Sequence, residues 1–513
     1  MSSLVYYKNK TNGTIYVYEN VSTWNRNTKR CDTKRKCIGK LDQESGKVIR
    51  SNRRDDCKDD VYADVRCIGN SLILDKVSEE LALTRTLKEA FPDEWDQILT
   101  CAYYFISEGK ALSHVETWSG RHKHPYGGIL ASQRVSELLK SLTQARQLEF
   151  FRRWVKIRAE HEYAALDITS VSSYSELNEY VQYGYNRDKE SLPQINLCLL
   201  LGEESGVPIY YESLDGSIKD VSALENVLKM MNWLDSKRLH AVMDRGFYSE
   251  RNIDALYERN IRFTVGVPFT TKWTRELVAK ARGSIEGYSC HHRIGDYTFF
   301  ADTDTSDWKG HRCYRHVYYD SKKAAEEYTA FLDKVDKWRD ELTQGREVDS
   351  NRQYYEKYFI VKDTPKRGRR VVAREDEIQA FKQNNAGFFI LLSNDIKDPV
   401  RALKVYRDKD TVEKGFDNLK NSLDMKRLRI HSSESMRGRL FIQFVSQILA
   451  AAIRNIMTAN KLDEKFSLPE LMNQLKSIFS VRLNSHRHPI LSKASKSQRE
   501  ILLAFGIDDD SYV

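Results

Sequence analysis

The sequence is poor in cysteine and proline, and it contains no long uninterrupted apolar run. Its 8 cysteines form no C-x-x-C pair, which argues against a disulfide framework and predicts reduced thiols in a cytosolic protein. The N-terminal residues MSSLVYYKNK lack the apolar core of a signal peptide. The most apolar stretch, 440–457, is interrupted by Gln443, Gln447 and Arg454, so we predict a buried helix there and no membrane partner. Internal repeats and low-complexity tracts are also absent, which excludes solenoids and fibrous proteins.

What the sequence does contain is enough apolar residues for real cores and a small excess of positive charge. Hydrophobic residues make up 41% of the 513 residues, which excludes global disorder and allows three or more domains. The chain has 82 Lys and Arg against 73 Asp and Glu, a formal charge of +9. This balance permits a polyanionic partner without requiring one.

Shifts in residue pattern along the chain predict a series of segments. Residues 1–70 alternate as β-strands around an Asn12-Gly13 turn, and 71–158 carry apolar residues at helical spacing. The remaining segments are predicted, in order, as the first part of an α/β core (159–267), a β-rich insertion domain (268–400), the second part of the core (401–458) and a helical, basic C-terminal region (459–513).

The stretch from Tyr406 to Lys420 is the most informative in the chain. Wound as an α-helix, it places Tyr406, Lys409, Glu413 and Lys420 on one narrow stripe. A separate apolar stripe lies beside it: Val405, Val412, Phe416 and Leu419. One face therefore packs, and the next presents a carboxylate between cations and a phenol. An ordinary solvated helix face is the alternative for this helix taken alone.

Two aspartates lie at strands of the predicted core. Strands are predicted at 163–169, 194–201, 207–214, 239–243 and 261–267, with helices at 221–234 and 250–258. Within the insertion, strands are predicted at 297–300, 314–319, 354–361 and 387–392, with one helix at 321–342. Asp167 lies near the end of the first strand, and Asp244 follows the fourth. Carboxylates at strand ends are costly unless metals or hydrogen bonds compensate them. With Glu413 they suit two Mg²⁺ ions for phosphodiester chemistry, and we expect the carboxylates within about 8 Å of one another.

Basic residues outside this stripe are candidates for contacts with nucleic acid. In the N-terminal segment Arg26, Arg35 and Lys36 are interleaved with Trp24 and tyrosines, although a solvated hairpin face explains them equally well. Others follow the helix: Lys426, Arg427 and Arg437. Two sets of residues are weaker candidates for zinc, against ordinary loop and hairpin side chains. They are Cys31, Cys37, Cys57 and Cys67, and Cys290, His292, His311 and Cys313.

The stripe residues also match a known signature. Tyr406, Lys409, Glu413 and Lys420 resemble the Y-(2)-R-(3)-E-(6)-K pattern of DDE-type bacterial insertion-sequence transposases, the insertion-sequence-four group. Two further segments look similar: 184–188, with Arg187, and 244–247, with Arg245. The chain departs from the pattern at Lys409, where the family usually has Arg. A lysine loses the bidentate fork, and Arg407 is a candidate to compensate.

This resemblance implies an RNase H-like catalytic core, a mixed five-stranded sheet with flanking helices, interrupted by the β-rich insertion. It implies Asp167, Asp244 and Glu413 as catalytic metal ligands, with Mn²⁺ able to replace Mg²⁺. The partners implied are double-stranded DNA, as terminal inverted repeats and target, and a second copy of the chain in a homodimer. The location implied is the bacterial cytoplasm, on the nucleoid when DNA is bound. In relatives an aromatic residue of the insertion stacks on a flipped base of a DNA hairpin, and the candidates here are Trp273, Trp308 and Trp338.

Other function classes remain open at this point. A host-recruited nuclease would keep the three carboxylates but lack specificity for terminal repeats. A catalytically idle, sequence-specific DNA-binding regulator would be expected to have lost a carboxylate, and all three are present. DNA flanked by inverted repeats on either side of the gene would separate these alternatives.

Overall fold

The structure is a computed structural model, and it describes most of the chain. The described residues are 2–10, 13–25, 30–42, 46–50, 63–158, 164–175, 178–184, 190–202, 205–218, 222, 224–228, 240–364, 368–384, 386–408, 427–428, 430, 432–483 and 488–508. The chain divides into two compact units: Met1–Asp64 with Val481–Pro489, and Val65–Ser480 with Ile490–Val513.

The first unit is built on an antiparallel sheet of four strands in sequence order. They are β1 (Ser2–Lys8), β2 (Ile15–Asn25), β3 (Arg30–Leu41) and β4 (Val48–Arg50). The predicted hairpin is confirmed, since β1 pairs with β2 from Ser2↔Val21 to Lys8↔Ile15. Gly13 has a φ of 69° in the connection, a backbone conformation that favours glycine.

The second unit begins with helices, as the apolar spacing predicts. After the short strand β5 (Ala63–Cys67) come α1 (Gly69–Glu80), α2 (Leu83–Ala90), α3 (Trp95–Glu108), α4 (Val115–Ser119), α5 (Ser132–Ser141) and α6 (Gln144–Arg158). A long apolar helix, α13 (Ser433–Ala459), packs against α1, α3 and α5. It is long and apolar enough to cross a membrane, but 83% of its apolar window is buried inside the unit. This agrees with the predicted buried core helix.

The centre of the second unit is a large mixed sheet flanked by helices, so the predicted α/β fold class is confirmed. Its first strands are β6 (Ala164–Ser173), β7 (Gln194–Gly202), β8 (Pro208–Asp215), β9 (His240–Met243) and β10 (Arg262–Val267). The spatial order is β8-β7-β6-β9-β10. The strands β6, β7 and β8 are antiparallel neighbours, whereas β9 runs parallel to both β6 and β10. The predicted helix at 250–258 is present as α7 (Glu250–Glu258).

Strands from the predicted insertion extend this same sheet. They are β11 (His291–Ile294), β12 (Tyr297–Trp308), β13 (His311–Tyr319) and, later in the chain, β16 (Phe388–Ser393). Because β16 pairs with both β10 and β13, the core strands and the strands of the insertion form one sheet. The short strand β17 (Arg427–Leu428) pairs with the far end of β6. The strands β11–β13 thus continue the central sheet.

The rest of the insertion contains the predicted helix at 321–342 and further helices that the sequence does not predict. It contains α8 (Lys272–Arg282), α9 (Ser321–Thr343), α10 (Arg352–Tyr358), the hairpin β14 (Phe359–Thr364) and β15 (Gly368–Ala373), and α11 (Glu375–Asn384). The strand predicted for 354–361 is wrong over its first half. Tyr355 and Tyr358, three residues apart, are buried in a small core with Phe331 and Trp338 of α9. A helix puts both rings on one face, and this packing overrides the strand preference of tyrosine.

Five further elements follow β16 in the chain. They are α12 (Pro399–Asp408), α14 (Leu468–Leu475), β18 (Phe479–Leu483), β19 (Ile490–Leu491) and α15 (Lys496–Ala504). Of these, α12 bears on function. It buries Ala402, Leu403 and Val405 and packs against β9, β10 and β16 of the sheet.

Candidate active site

Three neighbouring strands place Asp167, Asp244 and Gly266 side by side. In the parallel pair β6–β9, Leu166 lies opposite Met243, so the next positions are Asp167 and Asp244. In the parallel pair β9–β10, Met243 lies opposite Val265, which puts Gly266 beside Asp244. Adjacent strands are about 4.8 Å apart, so the two carboxylates start from neighbouring backbone positions. The sequence predicts both aspartates at the sheet, and the structure brings them together.

One detail of this prediction is wrong. Asp167 is not near the end of its strand, because β6 continues to Ser173. Serines of this continuation are buried against β7, with Ser170 opposite Asn196 and Ser172 opposite Gln194. These polar residues can hydrogen-bond inside the sheet, so the strand does not need an apolar sequence to continue. The neighbouring strand β9, in contrast, ends at Met243, and Asp167 therefore lies where the sheet loses that neighbour.

Both carboxylates accept a hydrogen bond from the next backbone amide. Oδ1 of Asp167 accepts from the N–H of Ile168 at 2.8 Å, and Oδ1 of Asp244 accepts from that of Arg245 at 2.7 Å. A backbone amide that donates to a carboxylate fixes the direction of its oxygens. The two amides therefore orient both carboxylates at the level where β9 ends, and carboxylate oxygens are ligands that suit a divalent cation.

Tyr406, at the end of α12, joins the same cluster. Its phenol Oη donates to Oδ1 of Asp244 at 2.9 Å. The first residue of α12 is held by the insertion, because the Tyr318 hydroxyl donates to the carbonyl of Pro399 at 2.9 Å. The structure brings Tyr406 to Asp244, and its hydroxyl is bonded there to a carboxylate oxygen.

Several predicted site residues lie outside the described part of the chain. They are Arg26, Arg187, Lys409, Glu413, Lys420 and Lys426. The described residues contain no group of three or more His, Cys, Asp or Glu side chains that could hold a metal. Because Glu413 is not among them, that finding does not bear on the predicted set of three carboxylates. For Arg427 only the backbone, in β17, is described.

A cleft of about 1030 Å³ opens beside Asp244. Asp244, Arg245, Tyr406 and Arg407 line one part of it. One face of α9 lines another part, with side chains spaced at helical intervals: Lys323, Glu327, Ala330, Lys334 and Lys337. The cleft therefore combines a carboxylate with cations from both the core and the insertion.

Aromatic rings form a further part of the cleft wall. The Trp338 ring stacks on Tyr354 with centroids 4.6 Å apart and on Tyr358 at 5.8 Å, both nearly parallel. All three residues line the cleft. Tyr354 is 38% exposed, while Trp338 and Tyr358 are buried. Tyr354 is thus the exposed member of a stack whose other two rings are buried.

Arg407 is held in the cleft wall by an aromatic ring. Its guanidinium carbon lies 3.5 Å from the centroid of Tyr297, a cation–π contact. The Tyr297 hydroxyl donates to Oδ2 of Asp320 at 2.7 Å. Burial, with this bond to Asp320 as the next cause, raises the pKa of Tyr297 to about 12, so the phenol stays a donor at neutral pH. Arg407 is therefore placed beside the active-site end of the cleft, where a compensating cation was predicted.

The other candidate tryptophans are engaged elsewhere. Trp308 is buried at the end of β12, and its indole N–H donates to Oδ1 of Asp254 at 2.9 Å. Trp273 donates to the Tyr248 hydroxyl at 3.0 Å, and the Arg315 guanidinium lies over its ring at 4.8 Å. Of the three, Trp338 alone lines the cleft described above.

Predicted basic contacts are spread over different parts of the molecule. Arg245 is exposed beside Asp244, whereas Arg437 lines a separate cavity of about 70 Å³ with Glu212. Burial raises the pKa of Glu212, and the Tyr210 hydroxyl donates to it. Arg35 and Lys36 are exposed residues of β3 in the first unit. The Arg437 side chain thus faces an internal carboxylate in a place distinct from the cleft.

The sheet of the first unit carries an aromatic and basic face. In its register Tyr7 lies opposite Tyr16, and Tyr16 opposite Lys40. The Lys40 ammonium lies 5.8 Å from the centre of the Tyr16 ring, and the Arg35 guanidinium 5.9 Å from that of Tyr18. Trp24 on the same sheet is 61% exposed. This is the interleaving of cations and rings predicted for nucleic-acid contact, on a defined surface.

The second zinc hypothesis is wrong. His292 lies opposite Phe299 on β12, whereas His311 lies opposite Trp308. Nine residues of strand, about 30 Å, separate those positions. The Cys313 thiol is buried and donates to the Ser306 carbonyl at 3.5 Å. For the first zinc set, Cys57 lies outside the described residues, and the side chain of Cys31 is not described.

Gly266 is the residue that sequence reasoning missed. A Cβ added at this position would lie 2.8 Å from the Tyr406 hydroxyl and 3.0 Å from the Arg245 amide nitrogen. A side chain at this position would therefore compete with the Tyr406 hydroxyl for its place beside Asp244. The available signal was the glycine inside the strand sequence RFTVGV. A glycine within a strand commonly marks the close approach of another group.

Comparison with known proteins points to one family. The model of the family described as Transposase DDE domain matches residues 158–449, more than half of the chain. No curated protein sequence matches. Among solved structures, the chain is similar to a piggyBac transposase in a synaptic complex with hairpin DNA, at 9% identity and a TM-score of 0.35. That match covers 80% of this chain and 76% of the other.

Proposed function

We propose that this chain, which belongs to the Transposase DDE domain family, performs cut-and-paste DNA transposition. Family membership confirms the DDE-type resemblance and makes the chain a transposase. The proposal goes further: it binds terminal inverted repeats, cuts the element ends and joins them to target DNA. The observation that carries the proposal is the adjacency of Asp167 and Asp244 on parallel strands, beside a cleft with basic and aromatic walls.

We assign the core to the RNase H-like class. The order β8-β7-β6-β9-β10, with three antiparallel strands followed by two parallel ones, supports this assignment. Asp167 on the first strand and Asp244 after the fourth are where that core carries its carboxylates by the resemblance. The assignment to the insertion-sequence-four group rests on the Tyr406, Lys409, Glu413 and Lys420 signature in the sequence.

We propose Asp167, Asp244 and Glu413 as ligands of two divalent cations, Mg²⁺ with Mn²⁺ as a substitute. Neighbouring carboxylates are hard oxygen ligands, which fit these ions. Bound there, the ions would supply activation of a water or 3′-hydroxyl and stabilisation of the leaving oxygen. The chain itself contributes orientation, since the amides of Ile168 and Arg245 hold the two aspartates.

The DNA strand is proposed to follow the cleft. Arg245 and Arg407 lie at the carboxylate end, and Lys334 and Lys337 of α9 line the wall further on. Lysines and arginines at such intervals hold phosphates, which fix the register of the strand. We place the aromatic stacking contact, predicted from relatives, on Tyr354 supported by Trp338. Trp308 is unsuited to it, because the ring is buried and bonded to Asp254.

The aromatic and basic face of the first unit is proposed as a second DNA contact, used to recognise element ends. Arg35 and Lys40 supply phosphate contacts there, and the tyrosine rings and Trp24 supply apolar area. A homodimer holding two ends, acting on the bacterial nucleoid, completes the proposal.

The test measures binding and cleavage separately. The probes are duplexes taken from the DNA on both sides of the gene, assayed by gel shift and by strand cleavage in Mg²⁺. Asp244→Asn is expected to abolish cleavage and leave the gel shift nearly unchanged. Asp302→Asn is a matched control, because Asp302 on β12 is exposed and also accepts from the next amide, that of Thr303, at 2.8 Å.

Each outcome separates the function classes. Cleavage by wild type at flanking inverted repeats, lost in Asp244→Asn and kept in Asp302→Asn, supports the transposase. Cleavage without preference for the flanking sequences indicates the host-recruited nuclease. Specific binding without cleavage by wild type indicates a regulator.

A further inference from the structure

We infer that Tyr406 is a positioning residue for Asp244. This role differs from the contact with the DNA backbone that is expected of Tyr406 when the stripe it shares with Lys409, Glu413 and Lys420 follows the DNA across the cut. The inference rests on the proposed function, because it assigns a role within that metal site. Its basis is a set of three contacts made by residues of α12, β10 and the turn after β9.

The first step is the geometry at the carboxylate. Oδ1 of Asp244 accepts from the Arg245 amide at 2.7 Å and from the Tyr406 hydroxyl at 2.9 Å. One donor leaves a carboxylate free to rotate about its side-chain bonds, whereas two donors on one oxygen hold its plane. A metal ligand held in this way loses less conformational entropy when the ion binds.

The second step is how the phenol reaches that oxygen. Gly266 is the position beside Asp244 on β10, and because it has no Cβ it leaves space for the Tyr406 hydroxyl. A Cβ at this position would lie 2.8 Å from the Tyr406 hydroxyl oxygen. The sheet therefore contains a gap that matches this side chain, which a surface tyrosine awaiting DNA would not need.

The third step is the rigidity of the helix that carries the ring. The α12 residues Leu403 and Val405 are buried, and its first carbonyl, that of Pro399, accepts from Tyr318 of β13. The ring of Tyr406 is half-buried and packs against the core. The phenol is consequently fixed by the packing of α12 on the sheet.

The two roles exclude each other on simple chemical grounds. A phenol has one proton to donate. While that proton is shared with Asp244, it cannot be given to a phosphate, and a phosphate has no proton to offer the phenol oxygen. A phosphate contact would require the bond to Asp244 to break.

The experiment compares Tyr406→Phe with wild type in three measurements. They are the Mg²⁺ dependence of cleavage of the flanking-DNA duplexes, the gel-shift affinity for the same duplexes, and Mn²⁺ binding to the DNA-free chain followed by electron paramagnetic resonance. We expect the Mg²⁺ concentration for half-maximal cleavage and the Mn²⁺ dissociation constant to rise by about tenfold, as for residues that orient metal ligands. The gel-shift affinity should not change.

Tyr103→Phe is the matched control. Tyr103 also donates to an aspartate, Oδ1 of Asp75 at 2.8 Å, but it does so within the helical part of the second unit. Its removal should leave the metal dependence at the wild-type value. A metal effect in both variants would show that any loss of a buried tyrosine bond loosens the fold, and would overturn the inference.

Two further results would overturn it. One is weaker gel-shift binding by Tyr406→Phe with unchanged metal dependence, which is the signature of a phosphate contact. The other is wild-type behaviour in all three measurements, which would make the phenol a packing group only. Asp244→Asn separates this from the larger proposal: if that variant still cleaves, the proposed function fails, whereas if it is inactive and Tyr406→Phe is normal, the positioning role alone fails.

Discussion

Asp167 and Asp244 each follow the last paired residue of two parallel strands, although they lie 77 positions apart in the sequence. The register of β6 against β9 sets this relationship. Each carboxylate accepts a hydrogen bond from the backbone N–H of the following residue. Carboxylates that start from neighbouring backbone positions can share a divalent cation, because hard oxygen ligands suit such ions. The arrangement therefore fits the proposed metal site.

A first prediction concerns Asp167. Asp167→Asn keeps the shape of the side chain but removes a charge, so we expect cleavage to fall below detection. Because repulsion with Asp244 is removed, the free energy of unfolding without metal should stay equal or rise. Denaturant unfolding in a chelator and cleavage in Mg²⁺ measure the two quantities. A stability loss above about 2 kcal/mol, typical of a broken buried network, would instead assign Asp167 to the core.

A second prediction concerns Gly266. In Gly266→Ala the added Cβ displaces the Tyr406 hydroxyl, which it would meet at 2.8 Å. The variant should raise the Mg²⁺ requirement for cleavage at least as much as Tyr406→Phe does. Gly283→Ala is the control, because no atom lies within 4 Å of a Cβ added there. Normal metal dependence in Gly266→Ala would show that the phenol has room to move.

A third prediction separates the aromatic residues. Tyr354→Ala should weaken binding of DNA ends, since stacking contributes about 1–3 kcal/mol per base, and Tyr354→Phe should retain it. Trp308→Phe should leave binding and cleavage unchanged while lowering stability by about 1 kcal/mol, the value of its bond to Asp254. Tyr288→Ala, at a residue 92% exposed, controls for loss of a surface ring. Loss of end binding in Trp308→Phe would show that Trp308, and not Tyr354, makes the stacking contact.

A fourth prediction concerns the salt dependence of end binding. Each phosphate contact contributes about one unit to the slope of log affinity against log salt concentration. Arg35→Gln and Lys40→Gln should each lower this slope by about 1, whereas Lys76→Gln on α1 should not. Point substitutions are preferable to deletion of residues 1–70. Such a deletion removes Cys67 and Ile68, whose amides bond to the carbonyls of Arg121 and Ile478.

A fifth prediction concerns pH. Burial lowers the pKa of His316 to about 4, while its hydrogen bonds join Thr303 of β12 and the carbonyl of Ile396. The unfolded chain binds a proton at this residue near pH 6.5, and the folded chain does not. The contribution of neutral His316 to the free energy of unfolding is therefore complete above that pH. It is lost as the pH drops, by about 2 kcal/mol between pH 7 and pH 5.

His316→Gln removes this titration. The loss of unfolding free energy between pH 7 and pH 5 should be smaller in this variant by about the same 2 kcal/mol. His114→Gln, at an exposed histidine, should show the wild-type pH dependence. Equal pH dependence of stability in His316→Gln and wild type would contradict the role of buried His316 in the loss of stability at low pH.

The sequence predicts the strands of the core well because their apolar runs are bounded by clear turns. The helix at 250–258 is found with the predicted bounds. The sequence could not predict that β16 pairs with both β10 and β13, because strands that are neighbours in the sheet but distant in the chain leave no local pattern. That pairing joins the insertion to the core sheet and anchors α12 through Tyr318.

The site was predicted in part for the same reason. Residue types and helical spacing identify Asp167, Asp244 and Tyr406, but not which atoms meet. The phenol–carboxylate bond depends on the register of three strands and on a missing Cβ at Gly266. The helix at Tyr354 was missed because tyrosine favours strands in isolation, and the partner ring of Trp338 that stabilises the helix is 16 residues away in sequence.

The central claim is that Asp167, Asp244 and Glu413 share divalent cations. Its most direct test is anomalous X-ray scattering from Mn²⁺ in crystals of the chain bound to a flanking-DNA duplex. The account predicts manganese peaks in direct contact with carboxylate oxygens of both aspartates, with Glu413 completing the set. Manganese bound away from Asp167 and Asp244, or bound there with Glu413 remote from it, would contradict the account.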